Sequence, residues 1–567
     1  MTPQIAGLAR FLAVVAVCSI NIAAAQENDE AGAPPATVEE ASAPVPTFAE
    51  LEAAGAVIGE IRIDSEDIFD LSDPRENKEL YSLANWLHIR TRPDVIRRQL
   101  LFASGEPVSA RLIDETERNL RGNDYFYDVA IRPLDVHDGV VDVQVKTRDT
   151  WTLVPTANLS RSGGVNRGGL GFRDSNFLGT GTRFSIGRKA SSDNTGNTAP
   201  ASLDLQLSQA NAFDGHTALS YNLSRFADGR HDGLSVARPF YALDTRWSGG
   251  VAGSRDDRTI FSFVGANTAV PIYRRREDTA SVSGGWSPGL VDGWTHRYSL
   301  GLSWLSDNYG PAADAAPDAQ IPADRTLVSP FLQYEAVQDD FRKVVNRNLI
   351  ERTEIFAMGL HANAQFGRSL PQLGSTQYVS MYSGSVSKGF DVGPSGTLLA
   401  SASVAGEYSD HQSDRQLGNT SFRYYLAQSA TSVFFASFSA DRLRFKDGSQ
   451  QLLLGGDNGL RGYPAHYQSG DRRVLFTAEQ RFYTDWFPYR LFRVGGAIFL
   501  DAGRAWNGPL DETPANQRWL SDIGFGIRVL NARSSSGTTL HVDFAFPLHR
   551  EDGIKSYQFS FMSKTGF

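Results

Sequence analysis

The sequence predicts a mainly β protein: a membrane-spanning antiparallel β-barrel over residues 151–567, drawn as sixteen strands, behind a small α/β domain at 56–150. Three observations lead there. From Trp151 onward, apolar and polar residues alternate with period two in one segment after another, as in Leu219, Tyr221 and Leu223 between Ser220, Asn222 and Ser224. The face opposite the apolar one carries charges such as Asp543, and strand ends are aromatic. No stretch beyond the leader approaches eighteen consecutive apolar residues, so the membrane is not crossed by a helix.

A barrel strand shows only every second residue to lipid, so a mean hydropathy of −0.30 is compatible with a membrane protein. The net charge of −9 leaves no basic stripe to neutralise phosphates, which argues against a nucleic-acid partner. The one cysteine, Cys18, lies in the leader, so the remaining chain has no thiol, disulfide or cysteine metal site.

Residues 1–25 read as a secretory signal. Arg10 is the positive n-region, Phe11 to Ile22 is mostly apolar, and Ala23-Ala24-Ala25 supplies small residues for cleavage. Val17 is too bulky a neighbour to make Cys18 a lipid-attachment site. Residues 26–55 are rich in Ala, Pro and acidic residues, without Lys or Arg, and read as a flexible acidic linker.

In 56–150, Val57–Ile63 alternates as a strand, and a short helix is expected near 78–86. Pro93 opens a helix that reaches Phe102, and Gly105 and Pro107 stop it. Ser109 is placed to cap the next helix, which Gly122 ends. Two strands follow around Val129 and Val143, joined by the turn Asp138-Gly139.

In 151–567 the alternation recurs at 434–440, 540–546 and 557–561. Sixteen strands allow about 26 residues for each strand and its connection. Long polar connections are expected at about 188–200, 305–326 and 409–421, on the extracellular side.

The order strand, helix, helix, strand, strand, with Gly105-Glu106-Pro107 and the run Leu120…Tyr125-Phe126, resembles a POTRA domain. Asp174-Ser175-Asn176-Phe177-Leu178-Gly179-Thr180-Gly181 resembles the first barrel strand of the BamA/TamA outer-membrane assembly and translocation superfamily. Arg461-Gly462-Tyr463, within Leu454–Tyr463, resembles its loop-six motif. Glu479-Gln480-Arg481, Phe499–Gly503, Ile523–Arg528 and Val542–Leu548 follow in that superfamily's order. Tyr557, Phe559, Phe561 and terminal Phe567 resemble its C-terminal strand signal, although alternation fades after Phe561 and 562–566 read as a polar tail.

The resemblance implies an outer-membrane location with the N-terminal domain in the periplasm of a Gram-negative cell. It implies a protein that inserts or translocates client polypeptides, received by strand addition at the POTRA-like sheet edge. Having room for one such domain, the chain suits a specialised or accessory role, with outer-membrane lipid and accessory periplasmic or membrane proteins as further partners. The resemblance also implies a lumenal latch: Gly459, Leu460, Arg461, Gly462 and Tyr463 fold inward, and Arg461 docks on Glu479 and Asp501. A buried arginine without an acceptor is costly, and a carboxylate holds its guanidinium bidentately. A weak seam is expected where Tyr557–Phe561 meets Leu153–Leu159 or Gly179–Gly187. No nucleophile elbow, His-Glu-x-x-His pair, phosphate loop, metal site or cofactor site is present in the sequence. The alternatives are a passive pore or structural barrel, and a lipid-modifying barrel enzyme.

Overall fold

The computed structural model describes residues 46–567 apart from 164, 193–197, 214, 227, 264–268, 314, 316–320, 410–411, 446–449, 508–517, 536, 551–553 and 566–567. The expected leader, most of the expected linker and Phe567 lie outside the described residues. The chain divides into two units. Of the described residues, one holds those up to 151 with 176–181; the other holds those in 152–175 and from 182 on.

The first unit begins with α1 (Phe48–Ala53), where the linker was expected to run. Thr47 and Glu50 form a capping box, and Leu51 is buried, so these residues join the domain core. β1 (Val57–Glu66), α2 (Glu79–Leu87), α3 (Pro93–Arg97), α4 (Ala110–Arg121), β2 (Phe126–His137) and β3 (Val140–Asp149) follow. The expected helix from Pro93 ends at Arg97, and Ser109 precedes α4 without a side-chain cap bond. The sheet order is β1-β3-β2, with β1 parallel and β2 antiparallel to the central strand. Its inner face, Ile58, Val129, Val141, Val143 and Val145, packs on Ile96, Ile113 and Leu120 of the helices. The hairpin turn at Asp138 (φ 48°) and Gly139 (φ 78°) has the left-handed backbone that a two-residue primed turn needs.

Asp174–Gly181 is not on the first barrel strand. It closes the second, Val165–Phe177, and its turn groups with the first unit. There Asn176 donates to Thr91 Oγ1 at 2.7 Å, the Thr91 amide donates to Asp149 at 2.7 Å, and the Arg92 amide donates to the Gly179 carbonyl at 3.1 Å.

The second unit is a closed antiparallel barrel of twenty strands among the described residues, with a two-residue piece at Leu290–Val291. This corrects the expected sixteen. Much of the expected loop 188–200 is strand (Thr182–Ser192 and Thr198–Ala212), and 409–421 is nearly all strand (Gly396–Ser409 and Gln412–Ser429). Trp294–Pro311 and Arg325–Gln338 likewise pair up to Asp307 opposite Arg325, inside the expected loop 305–326. These hairpins extend past the apolar band. There polar residues dominate, so alternation fades while the backbone ladder continues.

Within the band the alternation is strict. Ile498, Leu500, Ile523, Phe525, Ile527 and Phe544 are exposed on the outer face, while Phe499, Asp501, Asp522, Arg528 and Asp543 are buried inside. Leu153–Ser162 begins the barrel at what we term the proximal rim. Antiparallel neighbours send alternate connections to opposite rims. Among the described residues, two connections carry a separate two-stranded sheet: a hairpin of Phe341–Val345 with Thr353–Ala357 from the proximal rim, and a loop framed by Leu452–Leu454 and Gln468–Gly470 from the distal rim.

Candidate functional site in the barrel lumen

The distal loop folds against the inner wall. Gly455 (φ 119°) and Gly459 (φ 94°) take backbone conformations that side chains disfavour, which lets the chain reverse within a few residues. Leu460 and Tyr463 then bury with Leu454, Ala505 and Leu520. Tyr463 Oη donates toward the carbonyls of Ser521 (3.1 Å) and His549 (3.0 Å). Gly462 passes so close to Asp522 that a Cβ would collide with it.

This places Arg461 among carboxylates. Its Nε donates to Asp501 Oδ2 at 2.7 Å and its Nη2 to Asp501 Oδ1 at 3.0 Å, a bidentate pair; its Nη1 donates to Glu479 Oε1 at 2.9 Å. Asp543 lies 3.8 Å away, and the guanidinium stacks 3.3 Å from the centroid of the Phe499 ring. All four charged groups are buried. The register explains the convergence. Glu479 is opposite Phe499 and Thr477 opposite Asp501 on neighbouring strands, Arg472–Tyr483 and Phe492–Trp506, so all four point inward.

Each acid has a second partner. Thr477 donates to Asp501 at 2.8 Å, Arg481 to Glu479 at 2.9 Å, and Arg528 to Asp543 at 2.5 Å. Three arginines thus alternate with Asp501, Glu479 and Asp543, which offsets part of their desolvation, while Asp522 is a fourth buried carboxylate beside Asp501. At Gly526 a Cβ would overlap the Asp543 carboxylate, so the strand Leu520–Asn531 needs glycine beside this cluster.

The C-terminal aromatics lie elsewhere. Tyr557 and Phe559 are exposed and Phe561 half-buried on the outer face, while Gln558 and Ser560 are buried. The expected polar tail is part of the strand Gln558–Thr565, which pairs with Thr538–Pro547. That strand closes the barrel on Leu153–Ser162. In the closing register Phe561 stands opposite Arg161. The loop also reaches the first hairpin: the Ala465 amide donates to the Gly163 carbonyl at 2.9 Å, and Arg167 pairs with Asp457 at 2.9 Å. Sequence reasoning did not foresee the roles of Phe499, Thr477 and Arg481. Their signal is parity, since each shares the inward face with Glu479 or Asp501.

Residues 360–565, which hold the loop, its acceptors and the last strands, match the Omp85 superfamily domain. That stretch is similar to the Omp85 superfamily domain. A stretch of 111 residues is 29% identical to the outer membrane transporter CdiB of Dickeya dadantii (strain 3937), covering 19% of this chain; the match spans about a fifth of that relative (19%). The chain is similar to solved structures of CdiB from Escherichia coli (13% identity, TM-score 0.46, covering 90% of this chain and 76% of that one) and of BamA from Haemophilus ducreyi lacking POTRA domains 1–3 (15%, 0.39, 90% and 85%). The Omp85 match begins just after the proximal hairpin, and the Arg461 cluster lies wholly within it.

Proposed function

We propose that this chain is an outer-membrane barrel that inserts or translocates client proteins in a specialised or accessory role, and is not an enzyme. The Omp85 match supports a role in protein translocation or insertion. The observation that carries the finer reading is the Arg461 cluster. A buried, bidentate ion pair holds the distal connection against the inner wall, which favours a fixed lumenal loop over an open, water-filled channel. Arg461 is in this reading a latch that fixes the loop, and with it the wall beside the seam.

The junction of the last and first strands, where Phe561 stands opposite Arg161, is in this reading the seam at which a client strand pairs. We read 56–150 as a POTRA-like periplasmic domain that receives the client. β2 is an edge strand whose outer half exposes Leu134 and Val136, a surface suited to strand addition. Chain folding of the client supplies the driving force in this scheme.

The test is reconstitution. Proteoliposomes with the full chain should accelerate folding of an unfolded outer-membrane barrel substrate or take up a secreted one, and deletion of 56–150 should abolish this. Equal behaviour with and without 56–150 would refute client reception and favour the passive pore.

A further inference from the structure

The proximal connection 339–360 is built unlike its neighbours. Adjacent proximal turns are short, at 393–395 and 430–431. This one forms a hairpin, and its apolar residues pack on the inner wall. Val344, Phe356 and Met358 cluster with Tyr425 and Phe435, and at the tip Ile350 clusters with Val433, Tyr483 and Leu530. Those wall residues belong to four different strands.

Polar contacts fix the tip as well. Glu354 accepts the backbone amides of Arg347 (3.0 Å), Asn348 (2.9 Å) and Leu349 (3.1 Å), so one carboxylate organises the turn. Tyr425 Oη donates to Asn348 Oδ1 at 2.9 Å, Tyr483 Oη to the Asn346 carbonyl at 3.1 Å, and Asn346 Nδ2 to the Ala430 carbonyl at 3.1 Å. Arg493 pairs with Glu351 at 2.5 Å, and Arg342 forks onto Asp391. At the base, the amides of Met358 and Gly359 both donate to the Asp340 carbonyl at 2.9 Å. The hairpin thus has a narrow base and a tip held by side chains, the construction of a hinged flap.

One contact joins it to the latch. Arg481 Nη1 donates to the Arg347 carbonyl at 2.7 Å while its Nε holds Glu479, the acceptor of Arg461.

We propose that residues 341–357 are a plug that closes the proximal end of the lumen at rest and swings out about its base, and that Arg481 couples its release to the Arg461 loop. The hairpin lies outside the Omp85-matched residues, and the proposal does not depend on which client, if any, the barrel handles.

The test is ion conductance of the purified full chain in planar bilayers. Two variants loosen the plug: replacement of 341–357 by a short Gly-Ser turn, and the double substitution Leu349→Asp with Ile350→Asp, which leaves the hairpin but expels its tip. Heat-modifiable gel migration selects folded barrels. A third variant, Asn346→Cys with Ala430→Cys, locks the tip to the wall by a disulfide. We expect the loosened barrels to conduct several-fold more than wild type, and the locked barrel to lose its opening events until a reductant restores them. Folded loosened barrels with wild-type conductance, or a locked barrel that opens as often when oxidised as when reduced, would overturn the proposal. The reading as a translocase would stand in either case, since client uptake is measured separately.

Discussion

Substituting Arg461 by alanine tests the latch most directly. The guanidinium makes three charge-assisted hydrogen bonds, of 2.7, 3.0 and 2.9 Å, to two buried carboxylates. Removing it leaves Asp501 with Thr477 as its nearest donor, while Glu479 keeps Arg481. Breaking a buried pair by deleting one partner costs about 3–5 kcal/mol, because the other charge stays desolvated. Loss of the stacking on Phe499 adds about 2 kcal/mol at a buried site. Relaxation and water entry return part of this, so we take about 3 kcal/mol, roughly a hundred-fold fall in the ratio of docked to undocked loop. The assay is backbone hydrogen exchange over 455–467 in the folded barrel. There the Gly456 amide, bonded to the Leu460 carbonyl at 3.2 Å, should exchange about a hundred-fold faster. Arg461→Lys should fall between, since it keeps the charge but loses the fork. Unchanged exchange in Arg461→Ala would show that the apolar contacts of Leu460 and Tyr463 hold the loop unaided, and the latch idea would be wrong.

Four further outcomes follow from the same geometry. Arg461→Asp should impair assembly or client uptake, and adding Asp501→Arg should partly restore it; a single variant with full activity would count against the ion pair as the working element. Gly526→Val should destabilise the barrel by several kcal/mol, because its Cβ would overlap the Asp543 carboxylate and the Val542 carbonyl; an unshifted heat-modification temperature would contradict this. Glu354→Ala should speed exchange of the Arg347, Asn348 and Leu349 amides about ten-fold or more while leaving 455–467 unchanged; equal protection would mean that the tip is set by its apolar contacts. Arg167→Ala should change stability by less than about 1 kcal/mol, as expected for a half-exposed pair with Asp457, and a larger loss would reveal a role for this pair at the seam.

How much of this was readable in the residues differs from part to part. The inward parity of Glu479 and Asp501 follows from alternation, and motif order set Arg461 near them. The fold class was legible for the same reason: lipid outside and a polar cluster inside impose opposite demands on successive residues. The strand number was not legible. Around 188–192 and 412–421 polar residues dominate the sequence and the period-two alternation lapses, so the residue pattern does not mark where pairing ends. The plug was hidden for a different reason. Phe341–Val345 and Thr353–Ala357 look like any short strands, and only the inner wall, assembled from residues far along the chain, shows where their apolar side chains go. Leu51 marks the same limit at the other end, since an acidic, alanine-rich run still buried one leucine.

The strand Arg472–Tyr483 also dictates a sequence of events in folding. The plug reaches it across 134 residues of chain, through Arg347 and Arg481, and across 137 through Asn346 and Tyr483. Such distant closures carry a large entropic cost and form late. Loop 455–467 waits on the same strand and on its neighbour, Phe492–Trp506, since Glu479 and Asp501 are its docking points. The interior can therefore be furnished only after the C-terminal wall stands. Until then the lumen has no complete wall, and its two inward segments, one from each rim, take their places once these strands stand.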